Sequence, residues 1–386
     1  MKTIDFRELF KQLDVRQVIR TLIVVLSFLQ LLTITGMTWT REAHNFAYML
    51  GVIVIFGFLL RNVWLTLFLI FCVFSYTYYG FNIGKVYLSN IFYGCVLYYL
   101  TKLSFKRKNV DTFITAFMWI IAINCIYMVL QICNLDFIYE AKPWNESGGF
   151  GLINWQTPGF LGHKAFMGVI MALAVPVFAS RVTKHSYLIA GLLFVPIYLS
   201  KASTCFISAI IGLLFILWHR ISRKLWIGIV AVLIIAGMAY LKLDMKSQTV
   251  FYRAKAWRNI LMDAKIHPIT GWGLDSFRNI TKNKKHLYIR YYTPENNFLK
   301  WWDNAHNIYV QMAFEFGLLP FLLLLGYFRS IVMRFRKCVK EPNTLALTGF
   351  ILVFFLVSFA HFPMYLARFA VILVPMFALM EVQLEV

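Results

Sequence analysis

The sequence predicts an all-α polytopic membrane protein of about twelve transmembrane helices, and three observations carry that expectation. Of its 386 residues, 60% are apolar and 14% charged, with a mean hydropathy of +0.68; soluble domains run at about half apolar and a quarter charged. Apolar runs long enough to cross a bilayer recur from Leu22 to Met380, with polar stretches between them. Outside one long loop, most Lys and Arg fall at alternate ends of those runs, as the positive-inside rule requires. A water-soluble enzyme is excluded, and so is a soluble domain on a single anchor. The chain reads as one integral membrane domain, 1–386.

Taken in order, the apolar runs fall at 20–38, 46–61, 63–81, 87–104, 112–133, 162–180, 186–200, 203–219, 225–242, 314–333, 343–361 and 364–382. Residues 1–19 are charged and amphipathic and are not followed by a small-residue cleavage site, so they are expected as a cytoplasmic helix rather than a signal peptide. With that end inside, cytoplasmic loops hold Arg61, the Lys102/Lys106/Arg107/Lys108 cluster, Arg181 with Lys184, Arg220/Arg223/Lys224, and the run from Arg329 to Lys340. Both termini are then cytoplasmic. The six Cys form no CxxC pair, and only Cys338 lies clearly outside an apolar run, so neither a disulfide nor a metal site is expected.

Two external segments stand out. Residues 134–161 are rich in Gly, Pro and Trp and nearly uncharged, which suits either a cover over a cleft or an interfacial loop. Residues 243–305 form the long loop, expected to carry short helices. From Lys242 to Asp303 there are twelve basic and five acidic residues, on the face where positive charge has no topological purpose. A polyanionic partner accounts for that charge; solvation of a long loop is the plainer alternative.

Within the loop, Phe251 to Ile266 has helical spacing, stopped by Pro268 and the Gly271-Trp272-Gly273 turn. At about 100° per residue, Arg253, Trp257, Ile260 and Ala264 share a face, while Arg258 projects away from it. A guanidinium beside an indole suits a phosphate next to a sugar or prenyl group, because its planar fork binds phosphate oxygens bidentately. Arg253 and Trp257 are therefore candidates for the site, with Arg258 a more peripheral substrate contact or a lipid-headgroup anchor. Gly271-x-Gly273 does not follow a strand and is no dinucleotide site.

Downstream, Tyr288, Tyr291, Tyr292, Trp301 and Trp302 suit sugar rings or the bilayer interface equally. Asp303 or Asn304 is expected to cap a helix running straight into the apolar segment, with His306 in its first turn. The positive helix end favours a neutral imidazole, making His306 a candidate general base; a helix-end polar contact is the alternative. Helical phase puts Glu315 opposite His306, so Glu315 is expected to pair with a neighbouring helix. Lys164, in Gly162-His163-Lys164, and Lys201, in Ser200-Lys201-Ala202-Ser203, are external cations that either meet an anion or snorkel.

The combination of Arg253-x-x-x-Trp257, His267-Pro268-x-x-Gly271-x-Gly273-x-x-x-Phe277, and Ala305-His306-Asn307-x-Tyr309 followed by Glu315-x-Gly317-Leu318 resembles the O-antigen ligase superfamily. These are bacterial inner-membrane glycosyltransferases, the lipid A core ligases and the O-antigen and capsule polymerases. The twelve-span layout with one long late periplasmic loop matches as well. The resemblance maps the family's loop Arg onto Arg253 and its loop-to-helix His onto His306. Where a second family Arg usually follows a Ser, this chain has Lys201, and the Arg often found upstream of the sixth span is replaced around Gln156.

The resemblance implies transfer of glycan from an undecaprenyl diphosphate carrier to a glycan or lipid A core acceptor, at the periplasmic face of the inner membrane. Arg253 would stabilise the departing diphosphate and His306 would take the acceptor's proton, with Arg258, Lys164, Lys201, Trp257, Asn307 and Tyr309 as substrate contacts. No metal, cofactor or nucleic acid is expected; membrane lipids and a chain-length regulator are the further partners. A metal-dependent membrane transferase would need a carboxylate pair in the first external loop, where Glu42 is the only acid. The alternative from another class is a lipid-linked oligosaccharide flippase or other polysaccharide transporter, which would line its spans with charge; here they are nearly charge-free.

Overall fold

The computed structural model describes residues 85–133, 135, 164–181, 183–200, 202–220, 222, 248–273, 276–283, 289–292, 297–300, 304–319, 321–323, 325–327, 341–361 and 367–384, with isolated positions at 17, 20–22, 67, 228, 329 and 333. The expected spans at 20–38, 46–61, 63–81 and 225–242 lie wholly or almost wholly outside the described residues. So do nearly all of the 1–19 helix and of the 134–161 loop.

The described part is mostly helical. Its helices are α1 (Lys85–Ser104), α2 (Val110–Ile132), α3 (Lys164–Ala179), α4 (Lys184–Leu192), α5 (Phe194–Leu199), α6 (Ser203–Trp218), α7 (Gln248–Ala264), α8 (Ser276–Asn283), α9 (Ile308–Phe316), α10 (Pro342–Val357) and α11 (Ala367–Leu384). Between α8 and α9 the long loop holds a short antiparallel hairpin, β1 (Ile289–Tyr292) and β2 (Asn297–Lys300), with Ile289 opposite Lys300 and Tyr292 opposite Asn297. These are the only strands among the described residues, and the loop thus carries a hairpin besides the short helices expected of it.

Arg107–Ile132 is long and apolar enough to cross a membrane by itself; Ala165–Ala179, His185–Leu199, Ser203–Trp218, Pro342–Val357 and Ile372–Leu384 are shorter apolar stretches. Two expected spans are broken. The run 186–200 is two helices, because Pro196 has no N–H to donate to the carbonyl of Leu192. The run 314–333 does not continue α9: Gly317 ends that helix at φ 73°, and helical residues resume at Leu318.

The core is centred on α3, buried on every side from Met167 to Ala179 and packed by α2, α4, α5, α6 and α10. In a bilayer, burial of apolar surface does little to bring helices together, and close backbone approach takes over. Gly349 of α10 lies where a Cβ would stand 2.5 Å from Pro176 Cβ, and Gly212 of α6 where one would stand 2.4 Å from Val353 Cγ2. With Gly168 of α3 against Ser200, these contacts make α3 and α6 parallel and α10 antiparallel to both. The N-terminal ends of α3 and α6 and the C-terminal end of α10 therefore meet at one end of the bundle.

The opposite end is laced by ion pairs. Lys102 Nζ is 2.6 Å from Glu381, Arg107 pairs with Glu341, and Arg181 pairs with Asp111 while donating to Asn343 at 3.1 Å. All three cations belong to clusters the sequence assigns to one side of the membrane.

Gly349→Ala should lower the unfolding midpoint in detergent, at a cost of about 1–3 kcal/mol for overpacking. Gly191→Ala is the control, since nothing stands within 4 Å of a Cβ there. Equal midpoints for the two variants would contradict the close approach of α3 and α10.

Candidate functional site

At the end of the bundle where α10 stops, local turns satisfy the carbonyls of Phe354, Leu356 and Val357, and those of Phe355, Ser358 and Ala360 accept from elsewhere in the chain. Residues of α7 and α9 supply the donors. Tyr309 Oη donates to Phe355 O at 2.8 Å, Ile308 N to Ser358 O at 3.0 Å, and Arg253 Nη1 to Ala360 O at 3.3 Å. A cation at a helix C-terminus is also favoured by the helix dipole. Arg253 and the chain just after His306 are thereby anchored two residues apart on one turn.

The Arg253 helix forms as its spacing predicts, and it packs Ala256, Ile260 and Ala264 against Val310 and Phe314 of α9. Arg253 and Trp257 are part-buried on that side, and Arg258 is exposed. The Trp257 indole does not stand open: Nε1 donates to Ala305 O at 2.8 Å, the residue before His306.

The helix after His306 starts later than expected. Asn307, not Asp303 or Asn304, is its N-cap, accepting from Tyr309 N at 2.9 Å and Val310 N at 3.1 Å. His306 therefore precedes the helix instead of sitting in its first turn, and the helical phase that set Glu315 opposite it does not apply. Its φ of 49° makes it the one non-glycine residue with positive φ among those described, and His306 N donates to Asn304 Oδ1 at 3.1 Å. Left-handed backbone at a His is uncommon and persists where the surroundings hold it.

Asn307 is buried, with its side-chain oxygen engaged in the cap. Tyr309 is half-buried against Phe359, its ring centroid 4.6 Å away, and burial pushes its phenol up to about 12. Lys164 is the first residue of α3, one turn before Gly168, which packs on the Ser200–Ala202 turn. Lys201 lies outside the described residues, between Ser200 and Ala202, which do not.

Glu315 is buried and bonded by Gln311 Nε2 at 3.2 Å, a partner one turn back on its own helix. Sequence reasoning missed Gln311, and it missed His361, which is buried at the α10 exit with Nε2 3.5 Å from Cys205 Sγ of α6. A lone His after an apolar run was the available signal for the second; nothing in the spacing marked the first.

The glycines of the loop dock α9 by backbone contact. Trp272 N donates to Phe314 O at 2.8 Å, Gly273 N to Glu315 O at 2.9 Å, and Leu318 N to Pro268 O at 2.8 Å. Gly271 (φ 64°) and Gly317 (φ 73°) face one another across this junction: a Cβ on Gly271 would sit 2.3 Å from Glu315 O, and one on Gly317 2.5 Å from Ile269 O. Phe277 closes the junction edge-on against Phe314, with Trp272 stacked on the other side. The His267 to Phe277 motif and Glu315-x-Gly317 are thus two halves of one joint that fixes where α9, and His306 before it, can lie.

Residues 186–325 match the family model for O-antigen ligase. The match supports the resemblance carried by the motifs and spans α4 to beyond Gly317, taking in Arg253, the glycine joint and His306. Lys164 and the α10 turn fall outside the matched residues. No curated protein matches the chain.

Gly271→Ala and Gly317→Ala should each lower the unfolding midpoint, since left-handed backbone at a side-chain-bearing residue costs about 1–3 kcal/mol before the backbone clash is counted. An unchanged midpoint for both would mean that the joint is not built by this contact.

Proposed function

We propose that this chain is a membrane glycosyltransferase of the O-antigen ligase or polymerase type, moving glycan from an undecaprenyl diphosphate carrier to a sugar hydroxyl. The observation that carries the reading is the shared anchorage on the end of α10: Arg253 is held at Ala360 O and the residue two past His306 at Ser358 O. A cation for the leaving diphosphate and an imidazole for the acceptor proton are thus tied to one short turn.

In the reaction, the acceptor oxygen bonds to the anomeric carbon as the bond from that carbon to the diphosphate oxygen breaks. The electron pair leaves with the prenyl diphosphate, and the hydroxyl proton passes to His306. Arg253 stabilises the developing charge on the departing oxygens; each charge-assisted hydrogen bond is worth about 1.5–3 kcal/mol. A positioned base adds about 10²–10⁴ in rate. Lys164, the first residue of α3, and Lys201 are the further candidates for phosphate contacts in this reading. Arg258, being exposed, is a peripheral one. Trp257, Asn307 and Tyr309 act in this reading by shaping the substrate side of the His306 loop.

The site faces the periplasm of a bacterial inner membrane, and both termini are cytoplasmic, in keeping with the acid-paired Lys102, Arg107 and Arg181 at the far end of the bundle. Ligase and polymerase share this donor chemistry and differ in the acceptor, lipid A core or a growing glycan; a chain-length regulator would act on the second.

Arg253→Lys keeps the charge but loses the planar fork, and it should reduce release of undecaprenyl diphosphate from a lipid-linked glycan by about tenfold to a hundredfold, the equivalent of one lost charge-assisted bond. Arg258→Lys should stay near wild type. If purified protein releases no undecaprenyl diphosphate while carrying the lipid-linked glycan across vesicles, the chain is a transporter; if the two variants behave alike, the diphosphate does not sit at Arg253.

A further inference from the structure

His306 holds its left-handed backbone only if the peptides on either side of it are fixed, and the residue before it is fixed by side chains from two helices. Ala305 is fully buried. Its carbonyl accepts from Trp257 Nε1 of α7 at 2.8 Å, and its N–H donates to Gln311 Oε1 of α9 at 3.1 Å. Gln311 is itself buried, and its Nε2 donates to the buried carboxylate of Glu315 at 3.2 Å. The amide can serve both neighbours in one orientation only: the oxygen must face the Ala305 N–H, and the NH₂ must face the carboxylate. Glu315 therefore sets which way Gln311 points, and Gln311 sets the Ala305 peptide.

We propose that Gln311, oriented by Glu315, is a positioning residue that holds the Ala305–His306 backbone so that the His306 imidazole is presented to the acceptor hydroxyl. The inference rests on the reading of His306 as the base. Gln311 reaches no reacting atom; it acts through one peptide. Buried polar groups of this kind are costly when half-satisfied and rigidifying when complete. A misplacement of about 1 Å at a reacting group costs on the order of 10² in rate, which sets the size of effect the clamp can have.

Purified full-length variants would be compared for release of undecaprenyl diphosphate from a lipid-linked glycan, for KM toward that donor, and for unfolding midpoint. Gln311→Met keeps the volume and removes both hydrogen bonds; kcat should fall by about tenfold to a hundredfold with KM changed by less than about threefold. Gln311→Glu keeps an acceptor for Ala305 but sets a second carboxylate against Glu315, and it should also lose turnover. The exchanged pair Gln311→Glu with Glu315→Gln restores donor and acceptor on the correct sides and should recover kcat to within about threefold of wild type. That rescue decides the matter even if Gln311→Met does not fold. Wild-type kcat in a folded Gln311→Met, or an exchanged pair no better than Gln311→Glu alone, would overturn the proposal. His306→Ala is run alongside: if it keeps full turnover, the reading of His306 fails and the clamp has no reaction to serve; if it loses turnover while Gln311→Met keeps it, the clamp alone is wrong.

Discussion

Helix ends leave carbonyls that the helix itself does not satisfy, and at the end of α10 three of them, those of Phe355, Ser358 and Ala360, accept from outside the helix. Their satisfaction by Tyr309, Ile308 and Arg253 is the constraint on which the site depends. An apolar bundle gives no charge of its own to chemistry, so the reactive groups have to come from the long loop, and the loop has to be tied down where the bundle ends. The α10 turn does both. Its backbone is fixed by packing of α10 against α3 and α6, and the loop inherits that rigidity through hydrogen bonds.

The second tie is the glycine joint between the α7–α8 connection and the end of α9. Gly271 and Gly317 allow two backbones to meet at a distance no side chain tolerates, and the aromatic stack of Trp272, Phe314 and Phe277 seals the contact. Between the α10 turn and this joint, α9 is pinned at both ends. His306 sits at the pinned N-terminal end, in a backbone conformation that costs free energy and that the Trp257 and Gln311 contacts to Ala305 hold in place.

The apolar runs that fall on described residues were legible as helices because segments that long and that poor in charge are rare outside a membrane. The breaks were harder to read. Pro196 announces one and Gly317 the other, yet hydropathy averages over both and reports a single run. The face shared by Arg253, Trp257, Ile260 and Ala264 followed from helical period alone. Choosing Asn307 over Asp303 and Asn304 as the cap did not, because three residues with capping side chains stand within five positions, and the tertiary bond from Ile308 N to Ser358 O at the observed helix start cannot be read from spacing. Gly271-x-Gly273 read only as a turn, and its docking role needs a partner at Gly317, forty-odd residues away. Glu315 was singled out as a buried carboxylate in need of a partner, but Gln311 was not: an i, i+4 pair on a helix reads as ordinary until a third group, the Ala305 peptide, is seen against it.

The central claim is that His306 takes a proton and Arg253 holds the diphosphate, two roles from two residues anchored on one turn. It is tested most directly by His306→Ala in purified protein, with turnover read as release of undecaprenyl diphosphate from a lipid-linked glycan and affinity read as binding of undecaprenyl diphosphate itself. The account predicts a loss of turnover of about a hundredfold or more with affinity for undecaprenyl diphosphate unchanged, the signature of an interaction made in the transition state. A loss of affinity in proportion to the loss of turnover would make His306 a binding residue and contradict the assignment, and retention of both would reduce it to a contact at the start of α9.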